Sequence, residues 1–300
     1  MPVNFFPPRK NAKNIDSSIN TEGKILRVSE SGEVSFVSLP FALFEERILS
    51  RASATNGFYR SVNGVTIRAP SPSVGSTGVI DGVTYTKVDN DPGDAAAPTS
   101  VTTGVTEMIN WFFRSSFNGD ISHWDTSSVT SMSAMFILST FNQDISDWDT
   151  SNVISMDGVF ESSQFNQDIS GWDTNSVTNM RGMFRDSPFN QNIGEWDTSN
   201  VTDMRSMFQD ASSFNQDISL WDYSNVTNLT EFLDNATSFS QANYDKLLIR
   251  WADQVANDGM STSITTTVSS NYTLGGAAES ARNYLTTAPN SWSITDLGGI

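Results

Sequence analysis

The chain has no cysteine and a single histidine, His123, which rules out a disulfide framework and any thiol chemistry. One histidine without cysteine supplies neither a shared zinc site nor a nucleophile, base and orienter acting together. Nowhere do about 18 apolar residues run together, so no membrane-spanning helix and no membrane insertion are expected. A lipidation cysteine is absent too. The first ten residues, Met1-Pro-Val-Asn-Phe-Phe-Pro-Pro-Arg-Lys10, place no apolar stretch behind a basic start and do not read as a signal peptide. Basic residues are scarce in one part of the chain. Residues 1–100 hold ten Lys/Arg and ten Asp/Glu, whereas residues 101–300 hold seven and twenty-four, so the net charge of −17 sits wholly in the latter. A nucleic-acid partner is not expected from such a surface. With charged residues at only 17%, Ser, Thr, Asn and Gln must cover much of the exterior.

What the chain has is repetition. Residues 117–236 spell one sentence five times, shown by Phe141-Asn-Gln-Asp-Ile-Ser-Asp-Trp-Asp-Thr-Ser-Asn-Val153 with Met156 and Phe160 following. The same words return from Phe117, Phe165, Phe189 and Phe214. Trp124, Trp148, Trp172, Trp196 and Trp221 keep the count, at spacings of 24, 24, 24 and 25. A fixed period in the twenties signals a solenoid with one supersecondary unit per turn. Val-Thr-x-Met-x-x-Met-Phe has apolar residues at i, i+3, i+6 and i+7, which predicts a short helix. Asp-Ile-Ser-x-Trp-Asp predicts a short strand. The expected fold class is therefore an α/β repeat, one short strand plus one short helix per turn. Phe141, Ile145, Val153, Val159, Phe160, the five tryptophans and Met132, Met156, Met180 and Met204 are expected to form its core. The Met–aromatic stripe reads as packing rather than a cofactor box.

The flanks divide the chain further. Residues 1–78 read as an attachment module. It comprises a hairpin over 23–37, a short amphipathic helix over 41–51, and loops. Its apolar positions, Ile25, Leu26, Val28, Val34, Phe36, Phe41 and Phe44, are too few for a stable unit and are expected to meet another chain. Residues 79–116 read as a cap and half-repeat, with 79–88 as its opening strand, and 237–300 as a closing cap.

Candidate chemistry is repeated rather than singular. Asp120, Asp144, Asp168 and Asp217 form one column, broken by Asn192, and Asp125, Asp149, Asp173, Asp197 and Asp222 form another. Stacked about 5 Å apart, neighbouring carboxylates repel by about 3 kcal/mol at a dielectric near 20 and by under about 1 kcal/mol in water. Adjacent Ser and Thr favour turn capping over calcium, and the dense Asp/Asn/Gly run of a calcium loop is missing. Carboxylates recurring in every turn argue against an active site, so no enzyme activity, cofactor or metal is expected. In a repeat scaffold the unrepeated positions carry specificity. They are His123, Asp147, Gly171, Glu195 and Leu220 on the predicted strand side, and Arg181, Arg185 and Arg205 on the predicted helix side. The column Asn118, Asn142, Asn166, Asn190 and Asn215 is expected to form a buried ladder that satisfies turn backbone groups.

The repeat word resembles the BspA-like repeats, a branch of the leucine-rich-repeat solenoids found on bacterial surface proteins and some phage proteins. The resemblance spans about residues 79–300 and implies a right-handed, LRR-like solenoid used in adhesion, without enzymatic activity. Gly23-Lys-Ile-Leu-Arg-Val-Ser-Glu-Ser-Gly-Glu-Val-Ser-Phe-Val37 resembles hairpin phrases of phage tail-fibre proteins. Together the two imply a virion appendage or decoration protein. Residues 1–75 would bind other virion proteins, the solenoid would meet a host surface protein or glycan, and a homotrimer follows by analogy with fibres. The alternatives are a bacterial cell-surface adhesin and a glycan-cleaving tail protein.

Overall fold

A computed structural model describes residues 66–69, 73–89 and 99–300, together with the strand backbone at 24–28, 34–38 and 59–60. The helix expected over 41–51, with Phe41 and Phe44, lies outside the described residues. Strand β1 (Lys24–Val28) pairs antiparallel with β2 (Val34–Ser38), Leu26 opposite Phe36. Strand β3 (Tyr59–Arg60) pairs antiparallel with β4 (Ile67–Arg68).

The single strand expected over 79–88 is instead a hairpin. Asp81 and Gly82 both take positive φ, +53° and +82°, the left-handed pair that a two-residue hairpin loop requires. They join β5 (Thr77–Ile80) to β6 (Val83–Lys87), and β6 runs parallel to β7 (Ser100–Val101). Ile67, Ala69, Ile80 and Val101 bury a small core beneath this sheet.

From Val105 onward the copies stack one on another. A ladder of parallel bridges links Glu107, Ser131, Ser155, Asn179, Asp203 and Asn228, one residue per copy. Between neighbouring copies the N–H groups of Met156, Gly158, Phe160 and Ser162 donate to the carbonyls of Asn179, Arg181, Met183 and Arg185 at 2.7–3.0 Å. Thr178 N–H returns one bond to Ile154 at 2.9 Å. At least five backbone bonds per step, each worth about 1 kcal/mol net, account for the cohesion of the stack before any side chain is counted.

These bonds also show how the local structure departs from the predicted helix and strand. An α-helix needs each N–H to reach the carbonyl four residues back. Here alternate N–H groups leave the coil for the next one. Those between them close four-residue turns, Val159 to Met156, Glu161 to Gly158 and Ser163 to Phe160. Gly158 and Ser162 sit at the third place of two successive turns with φ of +61° and +51°, the type II signature. The word Met-x-x-Met-Phe is thus a ribbon of two tight turns, and its apolar spacing suits both readings. The predicted strand is also a turn. Asp144 and Asp149 accept the N–H groups of Ser146 and Ser151 at 2.9 and 3.1 Å, which bends the chain before a ladder can form. The β-bridge falls further along, at Ser155. Among the described residues, α-helix occurs only in the closing cap.

Every core position of the repeat is buried, the tryptophans and Met132, Met156, Met180 and Met204 included, save Phe117 of the first copy, which is partly buried. Trp148 and Trp172 stack with centroids 6.5 Å apart and planes 5° from parallel, and each indole N–H reaches the previous coil, Trp148 to Ile121 O and Trp172 to Ile145 O at 3.1 Å. The asparagine column forms its ladder between coils, Asn142 Oδ1 accepting Asn166 N–H at 2.9 Å, but it is partly exposed rather than buried as expected, because it lies at the edge of the coil outside the aromatic core.

At the far end β8 (Leu229–Leu233) continues the ladder parallel to β9 (Thr265–Val268), which pairs parallel with β10 (Ser293–Thr295). Helix α1 (Gln241–Asn257), N-capped by Ser240, lays Tyr244, Leu247, Leu248 and Trp251 over the last coil. Helix α2 (Ala277–Thr286) carries Arg282, which grips Asp296 through Nε at 2.7 Å and Nη2 at 3.1 Å.

Candidate functional site

The two unrepeated columns fare differently. His123, Asp147, Gly171, Glu195 and Leu220 lie at the tips of the Ile–Trp turns, not on a strand face. His123 leaves this solvent-facing set. It is 8% exposed because the β5–β6–β7 sheet covers the first coil. Its Nε2 lies 3.0 Å from Ser100 O, and Tyr85 stacks edge-on at 5.4 Å. Asp147, Gly171, Glu195 and Leu220 are exposed, Leu220 at 68%.

The arginines lie elsewhere, on the turn ribbon. Side chains of the ribbon that point away from the core form two parallel columns. One reads Ser133, Asp157, Arg181, Arg205 and Thr230 along the stack, the other Ile137, Glu161, Arg185, Gln209 and Asp234. Between the columns lies a groove of ≈ 370 Å³. Its floor includes Gly158 and Gly182, both buried, at the left-handed turn positions that Ala134, Ser206 and Glu231 occupy in other coils. A Cβ at Gly158 would meet Ile137 and Glu161 at 3.3 Å.

Charge changes sign along this groove. Asp157 and Glu161 give an acidic band, Arg181, Arg185 and Arg205 a basic one, and Glu231 turns acidic again. Arg185 Nη1 lies 3.3 Å from Glu161 Oε1, and Ser206 Oγ donates to Glu231 Oε2 at 3.0 Å. Among the described residues, no carboxylate lies within 4.0 Å of the Arg181 or Arg205 guanidinium. Two cations about 5 Å apart repel by under about 1 kcal/mol in water and about 3 kcal/mol at a dielectric near 20. Exposure keeps this pair towards the lower figure. Burial pushes the Asp157 carboxyl up, Arg181 pulls it back, and Asp203 pushes it further.

Sequence reasoning singled out the arginines but not Asp157, Glu161, Gln209 or Glu231. The available signal was that these outward positions vary among the copies, Ser133, Asp157, Arg181 and Arg205 in one column and Ile137, Glu161, Arg185 and Gln209 in the other, while the core words repeat.

The aspartate columns have a local occupation. Asp168 and Asp197 accept Ser170 and Ser199 N–H at 2.9 and 3.0 Å, and these serine contacts hold both carboxyls below the usual range. Asn192 accepts Gly194 N–H at 3.0 Å in the same way, showing that the turn needs the oxygen rather than the charge.

A family model described as "Mycoplasma protein of unknown function, DUF285" matches residues 98–188 and 162–262. Together these matches run from 98 to 262 of 300 residues, more than half of the chain. The chain belongs to the DUF285 family. This membership fits repeats of the BspA surface-protein type. Both matches begin after the N-terminal hairpin, and the tail-fibre resemblance of residues 23–37 finds no support. No curated protein and no solved structure matches.

Proposed function

We propose that this DUF285 protein is a non-enzymatic recognition protein, a right-handed LRR-like solenoid that presents the turn-ribbon groove to a surface ligand. One observation carries the reading. The repeated side chains are consumed in joining coil to coil, while most positions lining the groove vary among the copies. A scaffold alone has no use for that division. A catalytic reading is disfavoured, because the aspartates repeated in every coil serve their own turns.

Two places of display fit. A virion appendage would be held through residues 1–75 to other virion proteins, as a homotrimer. A bacterial cell surface agrees better with a family described from Mycoplasma, and we favour it. The test is binding of the labelled full-length protein to intact cells from its source culture, alongside its abundance in envelope and density-purified particle fractions. Saturable binding, abolished when Glu161, Arg185 and Gln209 are all replaced by Ala, supports recognition through the groove. Binding unaffected by that triple change sinks it. New reducing ends from envelope polysaccharide would revive the glycan-cleaving reading.

A further inference from the structure

Resting on that recognition reading, we propose that the groove takes an acidic saccharide, with a carboxylate of the sugar held between Arg181 and Arg205. Residues 101–300 contain seven basic side chains. Arg185, Lys246, Arg250 and Arg282 each lie within 4.0 Å of a carboxylate, and Arg114 lies over the Phe113 ring at 5.1 Å. Arg181 and Arg205 are the two that remain, at the same place in consecutive coils. In a protein of net charge −17, carboxylates to pair them with were plentiful. Two exposed guanidinium groups with no carboxylate within 4.0 Å among the described residues are instead ready for an anion, since each offers its planar fork to carboxylate oxygens.

The surroundings narrow the class. Asp157, Glu161 and Glu231 border the basic band and accept hydrogen bonds only, while Gln209 offers both a donor and an acceptor. Sugar hydroxyls donate and accept, so an acidic sugar satisfies both kinds of neighbour. An acidic peptide would bring further carboxylates against the acidic bands. A polyphosphate would be repelled by the surrounding surface. The ≈ 370 Å³ of the groove is at the small end of ligand sites and suits one or two sugar rings.

The experiment is calorimetric titration of the full-length protein with four probes: the methyl glycoside of galacturonic acid, a sialylated lactose, neutral methyl galactoside and tetraglutamate. Uronate and sialate are two sources of one chemistry, and whichever binds identifies the sugar. The expected result is binding of an acidic saccharide, with the neutral sugar and tetraglutamate at least about tenfold weaker. Arg181→Gln and Arg205→Gln should each weaken binding by about tenfold, with unchanged circular dichroism, and Arg114→Gln should leave it unaltered. Added salt should weaken the acidic probe alone. The proposal is overturned if the neutral sugar binds equally well, if tetraglutamate binds better, if neither arginine matters, or if no acidic saccharide binds. Cell binding that persists when no acidic saccharide binds would leave the recognition reading standing and remove only this one. Absence of all cell binding would remove that reading itself.

Discussion

At Gly194 the repeat departs from its own wording, since Ser122, Ser146, Ser170 and Ser219 hold the same place in other copies. A Cβ on Gly194 would lie 2.7 Å from the Asp217 carbonyl oxygen of the next coil. That oxygen is backbone and cannot swing aside. Gly194→Ser, which restores the common word, is therefore expected to destabilise by about 1–3 kcal/mol, the cost of overpacking, read as a lowered urea midpoint. A neutral or stabilising result would mean that the coils slide apart freely. Asp157 raises a different question, because its folded carboxyl is shifted up rather than down. A raised folded pKa favours the protonated folded state. Its contribution is present below the ordinary carboxylate range and is lost as pH rises through the folded value. Asp157→Asn should thus match the native protein near about pH 3 and exceed its urea midpoint at about pH 7. A lower midpoint at neutral pH would show instead that the attraction to Arg181 outweighs burial.

At the scale of the coil, the period, the buried set and the coil boundaries are legible in the words themselves, since every copy repeats Phe, Ile, Trp and Val in place and four of the five repeat Met, with Leu229 in the last. The conformation between those positions is not. Apolar residues at i, i+3, i+6 and i+7 face one side of a helix and equally one side of two successive tight turns. What separates the two is where the N–H groups go, which depends on a neighbouring coil. Gly158 and Gly182 were the visible hint, because glycine recurs where φ is positive. Ala134, Ser206 and Glu231 at the same place concealed it. The groove was half legible for a related reason. The arginines stand out in an acidic chain, whereas Asp157 and Glu161 become a site only once coils bring their columns together. Since each step uses the same bonds, one whole coil should be removable. Deleting residues 165–188 joins Gln164 to Phe189, a junction with the same wording as Gln164 to Phe165. This variant should fold, with an unchanged shape of circular dichroism and a smaller urea m-value. Deleting residues 165–176 puts the core words out of register and should abolish folding.

For the whole molecule, a stack of coils has two ends, and each exposes an edge that the repeats cannot finish. The opening sheet covers the first coil, with Ile67 N–H bonded to His123 O at 2.8 Å and Thr102 Oγ1 donating to Asp125 O at 2.9 Å. The closing cap does more. Its α1 helix sets Trp251 against Tyr223 and Phe232, with centroids 6.0 and 6.4 Å apart. Gln254 meets the last coil twice, accepting Tyr223 N–H at 3.0 Å and donating to Asp222 Oδ1 at 2.8 Å. Asn243 and Ser240 end the asparagine ladder at Asn215. Without residues 241–300, β8 becomes an open parallel edge with Tyr223, Phe232 and Leu233 bare beside it, a template for pairing with another chain. Truncation after Ser240 should therefore give oligomers or insoluble protein by light scattering. The truncation touches no residue lining the groove. If the truncated chain remains monomeric and folded, the cap is dispensable, and stability resides in the coil-to-coil ladders alone.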